Sequence, residues 1–225
     1  MTNFLWTRKP DFTQIKKFTY DDYWMQRGFR FNDRLKEREV IIFNLIKPED
    51  KVLDVGCGNS RLGLSLKEKG CNVSVADISK IVLNEFEKVG IGTYFIDLVK
   101  LDFNSILDAK WDAIILSEVL EHTPNPEDII KELKKITDTI IITIPNSAFY
   151  KFRFHLLLSG RFFTQWISHP SEHLRYWSHT DFIDWLNAIG LKVIKHKSSN
   201  GIKILKDLWP NIFGFQIVYV CSTKE

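Results

Sequence analysis

The sequence predicts an α/β chain: a doubly wound, mostly parallel sheet of seven strands. Three observations carry that expectation. From residue 51 onward, short apolar runs alternate with helical patterns, the order that builds βαβ units. The run Val52-Leu53-Asp54-Val55 passes straight into Gly56-Cys57-Gly58-Asn59-Ser60, a strand feeding a glycine-punctuated turn with a helical pattern behind it. About twenty residues later, where such folds place an acid for ribose hydroxyls, a second strand from Asn72 to Ala76 delivers Asp77.

Taken in order, strands are expected near 51–55, 72–76, 93–96, 112–117, 139–144, 191–196 and 215–221. Helices are expected near 60–69, 79–89, 126–136 and 180–189, with Gly70, Gly90 and Gly190 as stop signals. Ser178 or Thr180 caps the last of these, and Phe182, Trp185, Leu186 and Ile189 form its buried stripe. Ahead of the first strand, Arg34 to Ile46 reads as a helix through Leu35, Val40, Ile41 (or Ile42) and Leu45, ended by Pro48. No internal repeat or low-complexity tract interrupts the chain.

At 225 residues the chain suits one well-buried α/β domain with an appended lid. A net charge of +3 is too mild to argue for nucleic acid. Cys57, Cys71 and Cys221 are scattered, without C-x-x-C spacing. They fit a reducing cytoplasm rather than a disulfide framework or a zinc site. No apolar run is long enough for a signal peptide or for crossing a bilayer, so no stable membrane insertion is expected.

Gly56 and Gly58 let the backbone bend sharply and let a ligand lie against the main chain. Asp54 closes the strand, where a carboxylate orients the turn or receives a cationic group. Leu62 and Gly63 follow, so the third glycine of a dinucleotide-binding G-x-G-x-x-G is not at its expected position. The segment Val52 to Gly58 resembles the first cofactor motif, V-L-D-x-G-C-G, of class I S-adenosylmethionine-dependent methyltransferases. That resemblance implies a Rossmann-like fold with adenosylmethionine over Gly56, Cys57 and Gly58 and with Asp77 on the ribose hydroxyls. It divides the chain into an N-terminal helical lid (1–50), a cofactor-binding half (51–146), a substrate lid insertion (147–178) and the C-terminal part of the sheet (179–225).

The same resemblance implies further cofactor contacts. Asp102 is the preferred acceptor for the adenine amino group, with Asp97 as its rival nearer the strand end, and Phe103 or Ile78 supplies the apolar slot for the ring. Tyr23, Trp24 and Arg27 lie in a Y-W-x-x-R segment similar to a helical lid, where Arg27, or Arg34 one helix later, meets the cofactor carboxylate. Ser117 ends the fourth strand on the cofactor side.

After it, Glu121-His122-Thr123-Pro124-Asn125-Pro126 matches an E-H-x-x-x-P pattern of methyltransferases of the ubiquinone-biosynthesis type. An imidazole there could take a proton from a hydroxyl or amine nucleophile; equally, Glu121 and His122 could fix the loop by hydrogen bonds. The pair could also hold a metal, but two adjacent residues are not a ligand set. His169 and His173 stand four apart, yet Pro170 breaks any helix between them, so no metal is expected.

Pro145-Asn146 followed by the aromatic, arginine-containing run from Phe149 to Phe162 resembles the MetW-like methionine-biosynthesis proteins over roughly residues 48–200. That family usually lacks the Glu-His pair present here. His173-Leu174-Arg175-Tyr176-Trp177, followed by a helix cap, is similar to type-11 methyltransferases, where the segment borders the substrate pocket. Tyr23, Arg153, His173, Arg175 and Tyr176 are therefore the expected acceptor-binding residues.

Two functions follow from these resemblances. The first is a cytoplasmic methyltransferase acting on an oxygen, or next a nitrogen, of a small polar metabolite. The Lys-, Ile-, Asn- and Phe-rich composition associates the chain with low-GC bacteria, where such enzymes accompany surface-glycan genes, so a phosphorylated or sugar-linked acceptor is expected. The second is a cofactor-binding accessory protein of homoserine acetylation that is not itself catalytic. A nucleic-acid substrate is disfavoured, and a homodimer is left open.

Overall fold

The structure, a computed structural model, describes residues 19–163 and 173–224. Seven strands form one sheet: β1 (Lys51–Val55), β2 (Asn72–Asp77), β3 (Gly92–Phe95), β4 (Ala113–Ser117), β5 (Thr139–Pro145), β6 (Lys192–Gly201) and β7 (Gly214–Ser222). Their order is β3-β2-β1-β4-β5-β7-β6. β1 to β5 run parallel, and β7 inserts antiparallel between β5 and β6. Strand order reverses between β1 and β4, the place where an open α/β sheet leaves a crevice at its carboxyl edge.

Alternation along the strands sorts the core into two layers. Leu53, Val55, Ile114, Leu116, Ile140, Ile142, Ile217 and Tyr219 bury one face. Val52, Val73, Val75, Ile115, Ile141 and Val218 bury the other. The first layer is closed by helices α5 (Asn104–Leu107), α6 (Pro126–Leu133) and α8 (His179–Ala188). The second is closed by α2 (Glu37–Leu45), α3 (Leu62–Glu68) and α4 (Lys80–Lys88). Ser178 caps α8 as expected, accepting from the Asp181 N–H at 3.1 Å within a capping box.

α1 (Tyr20–Arg27) lies over the mouth of the crevice, its Asp21 accepting from the Ser79 hydroxyl at 2.6 Å. The insertion after β5 carries α7 (Tyr150–Ser159), ended by Gly160. Three short helices escape the sequence reading: α5, α9 (Leu205–Leu208) and α10 (Pro210–Phe213) are each 4 residues long, too short to show a period. β6 also runs on to Gly201, past the expected 196. It is an edge strand whose Lys195 to Asn200 stretch is too polar to read as β.

Candidate functional site

A cavity of about 340 Å³ opens at the carboxyl ends of β1, β2 and β4. Its floor is the turn that follows β1. Gly56 has φ +70° and Gly58 φ +50°, conformations that side chains rarely adopt. At Gly56 a Cβ would also stand 2.6 Å from Val119 Cγ2, so the close approach of the loop after β4 requires its absence. The Gly56 N–H donates to Ala76 O at 2.7 Å, and the Gly58 N–H to Asp77 Oδ2 at 3.0 Å. Asp77 also accepts from the Ser79 N–H at 2.9 Å. Burial raises the Asp77 carboxyl above its ordinary range, against the pull of these N–H groups.

Asp54, Cys57, Ile78 and Ser117 line this cavity with Gly56, Gly58 and Asp77, so the fold brings together most of the expected cofactor set. Asp54 is 2% exposed. Burial, then the negative charges of Glu39 and Asp77, push its carboxyl up to about 8. The group therefore holds a proton at neutral pH until a cation approaches.

Several expectations are corrected. Asp97 lines the cavity and Asp102 does not. Asp97 is the first acid past the end of β3, whereas the chain has turned outward by Asp102, which is exposed and caps Asn104. Phe103 is 2% exposed inside the core beside Ile106, not in the cavity wall. Arg27 is likewise outside: its guanidinium lies over the Tyr23 ring at 4.3 Å and donates to the Tyr23 hydroxyl at 2.7 Å. Arg34 is also absent from the cavity wall, and Arg38 takes the place that either was expected to fill.

Arg38 sits in the first turn of α2, on the side that carries the buried Glu39 and Ile42, whereas Arg34 lies in a bend before that helix begins. Its Nε donates to Ser117 Oγ at 3.3 Å and its Nη1 to Gln216 Oε1 at 3.4 Å. Gln216 in turn donates to Glu118 Oε2 at 2.6 Å, and Thr143 donates to Glu118 Oε1 at 3.2 Å. Glu118 is a non-glycine residue at φ +60°, strain that the surrounding bonds hold in place. Lys36, Arg38, Glu39 and Glu118 are site residues that the sequence reading missed. The expected helix from Arg34 to Ile46 included Arg38 without singling it out, and nothing local marks Glu118.

The two members of the Glu-His pair part company. His122 lines the cavity, whereas Glu121 is fully buried behind it. Among the described residues, neither carboxylate oxygen of Glu121 has a hydrogen-bond partner. Burial, with the charge of Glu118 added, holds its carboxyl well above the ordinary range. The backbone carbonyl of Glu121 accepts from the N–H groups of Leu174 and Arg175 at 2.7 and 3.2 Å. This lock brings the segment from His173 onward to the loop after β4, and the His122 and His173 rings meet edge to face at 4.7 Å.

Of the expected acceptor-binding residues, Tyr23 lines the cavity and His173 packs against His122. Tyr176 is half-exposed and not in the cavity wall, its ring 6.3 Å from that of His173. Arg175 donates to the Pro124 carbonyl, fixing one loop to the other. Arg153 lies elsewhere, donating to Ala148 O at 2.6 Å and to Asn211 O at 3.5 Å, bonds that hold the start of α7 against α10. His169 is outside the described residues.

Comparison with known proteins agrees with this architecture. A TehB-like SAM-dependent methyltransferase from Corynebacterium glutamicum superposes with a TM-score of 0.58 at 16% identity, covering 90% of this chain and 94% of that one. In sequence, the bifunctional methionine biosynthesis protein MetXA/MetW of Rhodopirellula baltica is 24% identical over 131 residues, 55% of this chain and 21% of that protein. The ubiquinone biosynthesis O-methyltransferase of Pseudoalteromonas translucida is 24% identical over 152 residues, 64% of each chain. This chain thus spans less than two thirds of either relative's length. Among the described residues no helix is long and apolar enough to cross a membrane. The family described as methionine biosynthesis protein MetW matches residues 36–221, more than half the chain, and the protein belongs to that family.

Proposed function

We propose that this protein is an S-adenosylmethionine-dependent methyltransferase acting on an oxygen, or next a nitrogen, of a small polar acceptor in the cytoplasm. The observation that carries the proposal is the glycine turn closed on Asp77 beside a cavity whose lining is chemically divided. The cavity has an acid at the end of β2, a buried acid at the end of β1, and Lys36 and Arg38 facing them. Those groups fit the cofactor part by part. Asp77 suits two ribose hydroxyls, and Ile78, Ile96 and Leu98 with Asp97 suit an adenine ring and its amino group. Arg38 and Lys36 suit a carboxylate, and Asp54 suits an ammonium.

When bound, adenosylmethionine supplies an electrophilic methyl group. The protein's contribution is position: Glu118, Val119 and His122 border the space in which an acceptor would approach, and Tyr20, Tyr23 and Trp24 of α1 wall it from the other side of the turn. Similarity to the ubiquinone O-methyltransferases supports an oxygen acceptor. A phosphorylated or sugar-linked metabolite stands as the first class to screen.

Calorimetric titration with adenosylmethionine and adenosylhomocysteine tests the proposal. Micromolar binding is expected, weakened at least about 100-fold in Asp77→Ala, a loss on the scale of charge-assisted hydrogen bonds. Because Asp77 also holds the turn, Asp77→Asn is run beside it, with circular dichroism to confirm folding. Absence of binding to folded wild-type protein would defeat the reading.

The family match itself favours a second reading, in which the chain binds the same cofactor as a regulatory ligand and docks on a homoserine acyltransferase. Methyl transfer to an added acceptor supports the first reading. Cofactor binding that alters a partner acyltransferase, with no methyl transfer, supports the second.

A further inference from the structure

The side chains of Glu121, His122 and His173 converge, and His122 lines the cavity. One ligand atom from each can be chosen so that all three lie within 4.8 Å of one another. They come from two segments about fifty residues apart, tied by the Glu121 carbonyl to the Leu174 and Arg175 N–H groups. The sequence reading rejected a metal because it weighed only neighbours in the chain; folding supplies the third donor.

The second observation is independent of the clustering. Glu121 is 0% exposed, and among the described residues both of its carboxylate oxygens lack a hydrogen-bond partner. Buried carboxylates are nearly always hydrogen-bonded, paired or bound to a metal, because leaving them bare forfeits the hydration they had in water. Two imidazoles and one carboxylate are the donor set of zinc sites that keep a coordination position open. The same donors suit other divalent ions of the first transition row.

The geometry points to a divalent transition-metal site formed by Glu121, His122 and His173, open on its cavity side to an oxygen of the acceptor. The cation site stands on these three side chains alone; its part toward the acceptor rests on the methyl-transfer reading. On this assignment His122 is a metal ligand rather than a proton acceptor. The cation, not the ring, makes a bound hydroxyl easier to deprotonate, with the proton passing to solvent. A hydroxyl acceptor is thereby favoured over an amine, which is protonated at neutral pH.

The test is titration of Zn²⁺ into the metal-stripped full chain by calorimetry, with Co²⁺ absorbance as a second readout. Wild-type protein is expected to take up one equivalent with micromolar or tighter affinity and to melt at a higher temperature when loaded. Glu121→Gln and His173→Ala are each expected to weaken uptake on the order of 100-fold or more and to lose the metal-induced rise in Tm. If Glu121 is merely a protonated structural acid, the isosteric Gln leaves metal uptake unchanged. Absence of uptake, or uptake that survives both substitutions, overturns the site.

Acetohydroxamate, a small oxygen chelator, is expected to shift the Co²⁺ bands of the wild type. Unshifted bands overturn the open position. All these measurements are made without adenosylmethionine, so they judge the metal site even where the cofactor fails to bind.

Discussion

The two ends of the cavity are built in different ways. Around Asp77 the structure is local: the carboxylate is met by main-chain N–H groups of Gly58 and Ser79, one at the turn after the adjacent strand and the other two residues along the chain. Around Glu118 it is assembled from afar. Arg38 from α2, Ser117 from β4, Thr143 from β5 and Gln216 from β7 meet there through side chains. A main-chain site is rigid once the turn exists and fails when the turn fails. A side-chain network can lose a member while the sheet beneath it stays intact. Substitutions at the first end should therefore cost stability and binding together, and at the second end binding alone.

The sharpest way to break that contrast is Gly56→Ala. The added methyl enters the space held by Val119 Cγ2 at 2.6 Å, on a backbone at φ +70°. Overpacking and left-handed strain each cost about 1–3 kcal/mol. A loss of about 3 kcal/mol in urea unfolding is expected, with adenosylmethionine binding abolished. A variant that kept full stability would show the turn to be looser than its geometry.

The pH dependence of stability separates a buried acid at the cavity from a buried histidine at the start of α8. Asp54 titrates near 8 in the fold and in the ordinary carboxylate range, near 3.8, when unfolded. Between those values the folded state holds a proton that the unfolded state has released. Its contribution therefore falls as pH rises from about 4 to about 8, and is level above that. His179 behaves oppositely: burial and then His196 lower its pKa to about 4, while its Nδ1 lies 2.8 Å from the Tyr219 hydroxyl. The unfolded ring gains a proton near 6.5, so stability is lost as pH falls from 6.5 to 4. Denaturation across pH 4–9 is expected to show reduced alkaline loss in Asp54→Asn and reduced acid loss in His179→Gln. The alkaline loss is reduced rather than removed, because Glu118 and Glu121 are also raised.

At the far end, Arg38→Met should leave melting within about 0.5 kcal/mol of wild type while weakening adenosylmethionine about 10- to 100-fold. That is the loss expected for a charge-assisted carboxylate contact. Equal losses of stability and binding would mean that the network, too, is part of the frame.

The same contrast decides what the amino-acid sequence revealed. The sheet, the glycine turn and Asp77 were legible because each is written in contiguous residues: an apolar run, two glycines, a second run and its acid. Asp97 was ranked below Asp102 because the resemblance favoured the later position, although Asp97 stands nearer the end of β3. Arg38 needed the true start of α2 at Glu37; the expected helix began at Arg34, which lies before it. Glu118 and His173 acquire their places only through β-sheet closure and the Glu121 carbonyl lock, contacts that no spacing rule encodes. Asn146 shows the reverse case. The Pro-Asn pair carried part of the family resemblance, and the Asn146 amide donates to the carbonyls of Pro210, Asn211 and Gly214 and accepts from Ala148 and His179, which makes it a structural joint.

The smallest effect is expected where the sequence placed a key contact and the fold did not. Arg27 is exposed, and its guanidinium is engaged with the ring and hydroxyl of Tyr23 on the outer turn of α1. An exposed cation–π contact of this kind contributes about 0.5–1 kcal/mol to the helix. It reaches the cavity only through Tyr23, a lining residue. Arg27→Ala should therefore change adenosylmethionine affinity by less than about threefold, under 0.7 kcal/mol. Tyr23→Ala, which removes cavity wall, should exceed that. Should Arg27→Ala instead match Arg38→Met, α1 must close further when the ligand binds and carry its arginine inward. The carboxylate would then be held from two helices rather than one.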